Sequence, residues 1–386
     1  MDLAEAPRVI AWEITRRCAL ACKHCRGSAR DMQYAGEFTT GECIKTIDSI
    51  ASFSKPILIL TGGEPMNRPD IYELAAHATE QGLHVVMAPC GHLITPKTAQ
   101  KLKDSGVRAI SISIDGATEA AHDAFRGVPG AYARTLEGLQ HAIDAGIPFQ
   151  LNTTVTRQNA DDLPALLEQA IRLGAKTFDL FFLVPTGRGA ELRDLEISAE
   201  KQEELLNWVY EADRDSPIRV KTTCAPHYAR IQKTRRGQDM AAGIISKPKV
   251  MAGGHPHSSG GHPHAKGGHP HGGSAPYVSG GCMGGKGFVF ISHTGILQPC
   301  GFLDVPSGDL RAVDYDFKKA YIESKVFNDL RNEDGYHGKC GICAFRYACG
   351  GCRARAYANT GDYLDEEPGC SYEAMGMGRK AEMLKC

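Results

Sequence analysis

Short apolar runs alternate with amphipathic stretches from residue 8 to about residue 224. The apolar runs are rich in β-branched residues and predict strands over Val9–Ile14, Ile57–Leu60, His84–Met87, Ala109–Ile114, Phe149–Val155, Thr177–Val184 and Ile218–Thr222. The stretches between them have helical periodicity and predict helices such as Gly41–Ser52, Asp70–Gln81, Pro96–Ser105, Ala131–Ala145, Ala160–Leu173 and Ala199–Asp213. Strands that are apolar on both faces and alternate with helices are typical of a parallel sheet. The pattern therefore predicts an α/β fold of about six βα units, arranged as an open or a full barrel.

The composition changes after the last of these strands. Residues 253–273 contain three near-repeats of Gly-Gly-His-Pro-His, and this glycine and proline content predicts a flexible insertion rather than a packed element. From Cys282 onward the density of cysteines rises and regular patterning fades. We therefore expect a barrel core over residues 1–224, a connector with the insertion over 225–281, and a small cysteine-rich domain over 282–386.

Charge and cysteine content narrow the class of protein. The formal net charge is −1, so the composition does not favour nucleic acid or an anionic membrane as a partner. The N-terminal residues do not have the pattern of a signal peptide, and no apolar run has the length of a membrane span, so we expect a cytoplasmic protein. Fourteen cysteines in such a protein indicate metal or redox chemistry rather than structural disulfides.

Three of these cysteines, Cys18, Cys22 and Cys25, have the spacing CxxxCxxC and directly follow the first predicted strand. Three thiolates leave one iron of a four-iron, four-sulfur cubane without a protein ligand, and a small molecule can bind there and receive an electron. Zinc is the alternative, although structural zinc sites use four ligands and paired CxxC motifs. Because active sites of βα barrels lie at the carboxyl ends of the strands, the trio predicts a catalytic iron–sulfur site.

Two further motifs follow predicted strands. After the second strand comes a turn made of Gly62, Gly63, Glu64 and Pro65. Its glycines allow a close approach of the backbone to a ligand, and Glu64 can pair with an ammonium group. After the fourth strand, Ser113 and Asp115 lie on one face at period two, where their oxygens suit ribose hydroxyls. A tight βα turn explains either motif alone, so the succession of motifs at strand ends carries the prediction.

In this order the motifs resemble those of the radical S-adenosylmethionine (SAM) superfamily, over residues 8 to about 224. The resemblance implies a partial (β/α)6 TIM-like barrel in which the cysteine trio holds a [4Fe–4S] cluster and SAM chelates its open iron. It also implies SAM contacts for the GGE segment and for Ser113, Asp115, Asn152 and Val184. Arg126 either helps to position this cofactor or forms an ion pair with Asp123. Cleavage of SAM would give a 5′-deoxyadenosyl radical that abstracts a hydrogen atom from the substrate.

A second group of cysteines lies near the C-terminus and consists of Cys340, Cys343, Cys349 and Cys352, followed by Cys370, with Cys282 and Cys300 upstream. This pattern resembles the SPASM extension, which holds auxiliary iron–sulfur clusters in radical SAM enzymes. The resemblance implies one cluster bound by Cys340, Cys343, Cys349 and Cys370. It implies another bound by Cys282, Cys300 and Cys352, one cysteine short of the full pattern. Either Cys224, His227 or the substrate supplies a fourth ligand, or only one auxiliary cluster exists; a zinc ribbon is the alternative.

The segment TTCAPHY, residues 222–228, resembles a segment of the radical SAM enzymes of alternative heme biosynthesis. The opening AWEITRRC and the late CGGCRARAY resemble the heme b synthase family of that group rather than its deacetylase or heme d1 relatives. This resemblance implies that iron-coproporphyrin III loses carbon dioxide from two propionates, which leaves the two vinyl groups of heme b. Loss of carbon dioxide from a carbon radical releases one electron, which an auxiliary cluster can accept.

An iron-porphyrin substrate with four carboxylates favours guanidinium partners near the barrel mouth, and the candidates are Arg16, Arg17, Arg26, Arg30 and Arg188. His227 and Tyr228 are candidates for contact with the macrocycle or its iron. A reducing partner such as flavodoxin or ferredoxin is expected. The rival interpretations are a radical SAM peptide maturase, another tetrapyrrole-modifying enzyme of a heme d1 or siroheme-derivative pathway, and a non-enzymatic metal-binding or electron-transfer protein.

Overall fold

The computed structural model describes residues 6–244 and 281–374, and the strands within these ranges form one ten-stranded sheet. Their bounds are β1 (Val9–Thr15), β2 (Ile57–Gly62), β3 (His84–Met87), β4 (Ile110–Ser113), β5 (Phe149–Val155), β6 (Thr177–Phe182), β7 (Arg219–Thr223), β8 (Phe288–Ile291), β9 (Ile296–Gln298) and β10 (Gly308–Asp309). The spatial order is β10-β9-β8-β1-β2-β3-β4-β5-β6-β7. Strands β1 to β7 pair in parallel, which confirms the predicted α/β fold, and the sheet is open because β1 pairs with β8 rather than β7.

Twelve α-helices lie in the described ranges: α1 (Thr40–Phe53), α2 (Ile71–Glu80), α3 (Pro96–Asp104), α4 (Glu119–Arg126), α5 (Ala131–Asp144), α6 (Leu163–Leu173), α7 (Ala199–Asp215), α8 (Tyr228–Ala241), α9 (Phe317–Ile322), α10 (Lys325–Arg331), α11 (Gly338–Ile342) and α12 (Arg353–Thr360). Short 3₁₀ helices cover Pro65–Asn67, Ala160–Asp162, Gly187–Leu195 and Glu333–Gly335. None of the helices in these ranges is both long and apolar enough to cross a membrane. The His-Pro-His repeats at 253–273 lie outside the described residues.

Local sequence explains where these helices begin and end. Thr39 starts α1 with a capping box, in which its hydroxyl accepts the Glu42 N–H and the Glu42 carboxylate accepts the Thr39 N–H. Helix α4 ends at Gly127, whose φ of 69° is in the left-handed region that glycine adopts without strain. Such signals fix the short βα connections and so the positions of the loops at the strand ends.

The two faces of the sheet differ in polarity from β4 onward. In β5, Leu151 is fully buried in the main core, whereas its neighbour Asn152 is half-buried. Residues paired across β4 to β7 form one polar row: Ser113, Asn152, Asp179 and Lys221. This finding differs from the expectation of strands that are apolar on both faces. Because helices cover the outside of such a barrel, the polar row lines its inside.

Strands β8 to β10 extend the barrel sheet beyond β1. Val9 of β1 pairs in parallel with Phe288 of β8, and β9 and β10 continue the sheet in antiparallel fashion. Helix α9 packs against α1, with the rings of Phe53 and Phe317 centred 6.4 Å apart. The fading pattern after Cys282 did not indicate these strands, since their pairing with β1 joins residues far apart in sequence.

Candidate active site

The three N-terminal cysteines lie on the loop after β1, residues 16–30, which we call the cysteine loop. Each sulfur accepts a hydrogen bond, from Leu20 N–H to Cys18 Sγ (3.4 Å), from Ala29 N–H to Cys25 Sγ (3.4 Å) and from Arg126 Nη1 to Cys22 Sγ (3.7 Å). Such donors stabilise cysteine ligands of iron–sulfur clusters. Burial raises the pKa of Cys18 to about 12, so its thiolate form needs the positive charge of a metal centre. The residues therefore fit a cluster with three cysteine ligands.

Arg126, at the end of α4, is the buried cation beside this loop. Its Nη2 lies 2.6 Å from the carboxylate of Asp115, which also accepts the Thr154 N–H at 2.7 Å. Burial acts to raise the pKa of Asp115, but the guanidinium outweighs it and holds that pKa below its ordinary value. The alternative of an ion pair with Asp123 is wrong, because that carboxylate accepts two backbone N–H groups around the start of α5.

The GGEP turn packs directly against the cysteine loop. Gly63 N–H donates to Thr15 O and Glu64 N–H donates to Arg17 O, both at 2.8 Å. A Cβ on Gly63 would lie 2.4 Å from Arg16 O, closer than any side chain tolerates. The second glycine is therefore required by the contact between two loops, and these N–H groups bind the cysteine loop.

Glu64 connects the ends of β2 and β3. Its buried carboxylate accepts the N–H of Met66 at 3.0 Å and the N–H of Cys90 at 2.6 Å. Burial raises the pKa of Glu64 despite these hydrogen bonds. Pro65 follows as the first residue of a 3₁₀ helix, where its missing N–H costs nothing. The expected contact between Glu64 and a SAM ammonium stays a prediction.

Ser113 and Asn152 are direct neighbours in register on β4 and β5. The same row continues to Asp179 and Lys221, whose charged atoms lie 2.9 Å apart, and Thr223 Oγ1 donates to Asp179 at 3.1 Å. Sequence reasoning missed Asp179, Lys221 and Thr223, although the alternation in FQLNTTV and RVKTT indicates a polar face. The group provides charge and hydrogen-bonding atoms on the inside of the barrel.

Arg188 contacts the cysteine loop, and its expected contact with a substrate carboxylate stays a prediction. Its Nε donates to Cys22 O at 2.8 Å and its Nη1 donates to Ala29 O at 2.6 Å. The other candidate arginines have these environments: Arg16 beside Glu13 (3.0 Å), Arg17 beside Asp31 (2.6 Å), Arg26 over the ring of Phe290 (4.1 Å), and Arg30 exposed to solvent.

In the C-terminal region one cavity is lined by four cysteines, Cys340, Cys343, Cys349 and Cys370. Each sulfur accepts a backbone N–H, from Glu367 to Cys340 (3.3 Å), from Phe345 to Cys343 (3.4 Å), from Gly351 to Cys349 (3.4 Å) and from Tyr372 to Cys370. In the described ranges no three His, Cys, Asp or Glu side chains are grouped for a single metal ion. The sulfurs and their donors fit the ligand set of an iron–sulfur cluster.

The other three C-terminal cysteines lie apart from this cavity. Cys300 and Cys352 belong to a separate buried cluster that includes Leu303 and Val184, so Val184 lies among these cysteines. Cys282 joins the two groups, because its N–H donates to Cys349 O at 2.9 Å. The division of these cysteines into two cluster-binding groups stays a prediction.

Arg355 and Glu367 fasten this region to the barrel, and sequence reasoning missed both. Arg355 Nη2 donates to Leu183 O at 3.0 Å and to Cys224 O at 3.2 Å, just beyond β6 and β7. Its Nη1 donates to Glu367, whose carboxylate also accepts the Cys352 N–H at 2.7 Å. Burial acts to raise the pKa of Glu367, but Arg355 outweighs it and the pKa is lowered. Only the fold reveals this role, because the contacts of Arg355 with Leu183 and Cys224 join residues far apart in sequence.

His227 and Tyr228 are both buried, and their expected contact with the macrocycle or its iron stays a prediction. Tyr228 lies in the main hydrophobic core. His227 lines the cavity of the four cysteines, and neither of its ring nitrogens has a hydrogen-bond partner within the described residues. Burial lowers the pKa of His227 to about 4, so the ring is neutral near pH 7.

The parallel barrel sheet, with its cysteine loop after β1 and its GGEP turn after β2, defines a radical SAM enzyme. The family model described as the radical SAM superfamily matches residues 12–170, and a [4Fe–4S] cluster and SAM are the cofactors of that superfamily. The chain is 45% identical over 370 residues to the AdoMet-dependent heme synthase of Nitratidesulfovibrio vulgaris, covering 96% of this chain and 94% of that protein. The identity to its counterpart from Methanosarcina barkeri is also 45% over 370 residues, covering 96% and 98%. The chain therefore belongs to the AdoMet-dependent heme synthase family.

The fold also resembles that of solved radical SAM enzymes. The crystal structure of Streptococcus suis SuiB bound to the precursor peptide SuiA superposes with a TM-score of 0.70 at 15% identity, covering 95% of this chain and 76% of that one. At this identity the likeness concerns the fold alone.

Proposed function

We propose that the chain converts iron-coproporphyrin III to heme b by oxidative decarboxylation of two propionates to vinyl groups. The observation that carries this proposal is the 45% identity to AdoMet-dependent heme synthases over 96% of the chain. When bound at the cysteine loop, the cluster and SAM supply the radical that removes a hydrogen atom from the β-carbon of a propionate. The resulting substrate radical loses carbon dioxide and one electron, and the vinyl double bond forms.

An auxiliary cluster held by the cysteine-rich region would supply an acceptor for the electron released in this step. We assign Cys340, Cys343, Cys349 and Cys370 to one such cluster, and Cys282, Cys300 and Cys352 to another. The N–H donors on the first four sulfurs support the assignment. One electron is consumed when SAM is cleaved and one is returned at decarboxylation, so SAM is the net oxidant. Each propionate thus yields one carbon dioxide, one methionine and one 5′-deoxyadenosine.

The chain's own residues have three tasks in this reaction. Arg126 and Arg188 position the cysteine loop through their contacts with Cys22. We assign Ser113 and Asn152 to SAM, since they are neighbours on the inner face of the barrel. We assign Lys221 to a propionate of the substrate, because this partly exposed ammonium lies on the same polar row.

The test is an anaerobic incubation of the iron-loaded protein with SAM, a reductant and iron-coproporphyrin III, followed by mass spectrometry. We expect two successive losses of the elements of carbon dioxide and dihydrogen, and one 5′-deoxyadenosine for each loss. Reduced flavodoxin or ferredoxin should replace the chemical reductant. A protein that cleaves SAM without decarboxylating the porphyrin would contradict the proposal and favour a peptide substrate.

Two variants sharpen this experiment. Cys18→Ala removes a ligand of the cysteine loop and should abolish 5′-deoxyadenosine formation. Cys43→Ala is the matched control, since Cys43 is a fully buried cysteine within α1 and outside both cysteine regions. Equal loss of SAM cleavage in both variants would mean that the defect reflects general destabilisation rather than loss of a ligand.

A further inference from the structure

Cys224 lies outside the cysteine motifs of the C-terminal region, yet its side chain packs with theirs. It follows β7 and contacts the buried cluster that contains Cys300 and Cys352. Its sulfur is a neighbour of the Cys352 sulfur in that cluster. Cys300 in turn is an electrostatic neighbour of Cys224, Cys352 and Cys282. Cys224, Cys300 and Cys352 therefore lie together beyond the ends of β6 and β7, and Cys282 is close to Cys300.

The backbone at Cys224 is held in a costly conformation. Its φ is 62°, in the left-handed region, which costs a residue other than glycine about 1–2 kcal/mol. The Cys224 carbonyl accepts a hydrogen bond from Arg355 Nη2 at 3.2 Å, which fixes this conformation. Glycine would adopt this φ without the penalty. The presence of cysteine at this position therefore indicates a functional role for its sulfur.

His227 is the other protein candidate for the fourth ligand of the incomplete cysteine group, and its surroundings differ from those of Cys224. Its ring lines the cavity formed by Cys340, Cys343, Cys349 and Cys370, which already supplies four sulfurs. Cys224 lies instead with the group that has only three motif cysteines. The incomplete group therefore gains its fourth sulfur from the end of the barrel.

We propose that Cys224 is the fourth protein ligand of the auxiliary cluster held by Cys282, Cys300 and Cys352. This inference rests on the proposed function for the presence of that cluster. Four cysteine ligands would give each iron of that cluster one protein thiolate, as in closed [4Fe–4S] sites. Such a cluster would supply an electron acceptor with no iron left open to the substrate. The ligand also ties the end of β7 to the cysteine-rich region.

The test compares the variants Cys224→Gly and Cys43→Ala after anaerobic loading with iron and sulfide. Glycine suits the φ of 62°, so Cys224→Gly removes the sulfur while relieving backbone strain. We expect Cys224→Gly to lose about one to four iron atoms per chain, and the EPR signal of one reduced cluster to disappear or change. Cys43→Ala should keep the iron content and EPR spectrum of the wild-type protein. SAM cleavage without porphyrin should persist in both variants.

Cys224→Ser is the second variant, because its oxygen can remain a ligand. It should keep the four-iron cluster but shift the EPR signal. Wild-type iron content and an unchanged EPR spectrum in both Cys224 variants would overturn the inference. Failure of the proposed function would look different, since the wild-type protein would then hold its clusters and cleave SAM but leave iron-coproporphyrin III unchanged.

Discussion

Arg126 balances the buried negative charge beneath the cysteine loop. Its guanidinium faces the carboxylate of Asp115 at 2.6 Å and the sulfur of Cys22 at 3.7 Å. Arg126→Met would leave the Asp115 carboxylate buried without its cation, which destabilises a protein by about 3–5 kcal/mol. We expect a large drop in the urea midpoint of unfolding, and the double variant with Asp115→Asn should recover part of it.

The matched control for this prediction is Arg172→Ala. Arg172 pairs with Glu168 at 3.9 Å on the surface of α6, with both side chains largely exposed. Its loss should change stability by no more than about 0.5 kcal/mol. Similar urea midpoints for the Arg126 and Arg172 variants would show that the buried pair with Asp115 contributes little to stability.

His122 makes the stability of the same region depend on pH. Its Nδ1 accepts the Asp115 N–H at 3.2 Å, and burial followed by the nearby Arg126 lowers its pKa from 6.5 to about 4. The unfolded chain therefore binds more protons between these values, so the free energy of unfolding falls as pH falls through this range. At about pH 5.5 the loss from this residue is about 1 kcal/mol.

The test of this pH dependence is His122→Asn, whose side-chain oxygen can accept the same N–H but cannot titrate. Urea unfolding at about pH 7.5 and about pH 5.5 should show a decrease in stability that is about 1 kcal/mol smaller in the variant than in the wild-type protein. Equal decreases in the two proteins would show that folding does not lower the pKa of His122.

At the scale of elements, the contact between the GGEP turn and the cysteine loop sets the geometry of the radical site. A Cβ at position 63 would lie 2.4 Å from Arg16 O and 2.5 Å from Arg17 O, so Gly63→Ala must displace one of the two loops. We expect a destabilisation of about 1–3 kcal/mol and a loss of SAM cleavage of at least about ten-fold. Anaerobic iron analysis and a 5′-deoxyadenosine assay measure the outcome.

Gly41→Ala is the control for that substitution. Gly41 lies in the first turn of α1, and no atom lies within 4 Å of the place of its Cβ. Alanine there should stabilise the protein by up to about 1 kcal/mol and leave SAM cleavage unchanged. If the two alanine variants behaved alike, the contact between the loops would have no role in the site.

The elements themselves were predictable where a signal is local. Strands β1 to β7 follow from short β-branched runs, and α1 to α3 from helical periodicity between them. Strand β8 was not predicted because only its pairing with β1, nearly 280 residues away, gives it a partner (Val9 with Phe288). Likewise the pairing of Arg126 with Asp115 was not predicted, since Asp115 comes close only when the fold brings α4 beside the end of β4.

For the cysteines too, positions close in sequence were predictable, whereas contacts between distant segments were not. Spacing along the chain predicted the cysteine loop and the group around Cys340 as candidate sites, because those cysteines are close in sequence. The proximity of Cys224 to Cys352 depends on the end of β7 meeting the start of α12, which no spacing encodes. Residues that act between the barrel and the cysteine-rich region, such as Arg355, are therefore the ones that required the structure.

For the whole molecule, removal of iron should affect the two ends of the chain unequally. The main hydrophobic core spans β1 to β9 and reaches Phe327 in α10, but it includes no residue from 336–374. Part of that segment packs in the smaller cluster around Cys352, and part lines the cavity of Cys340, so we expect bound iron–sulfur clusters to supply much of its stability. After anaerobic chelation, its amides should exchange with deuterium at least about 100-fold faster, whereas β2 to β6 and α9 should change by less than about three-fold. Hydrogen-exchange mass spectrometry of the iron-loaded and iron-free protein measures both. Unchanged protection over 336–374 without iron would show that side-chain packing alone, including the pair of Arg355 and Glu367, holds the cysteine-rich region in place.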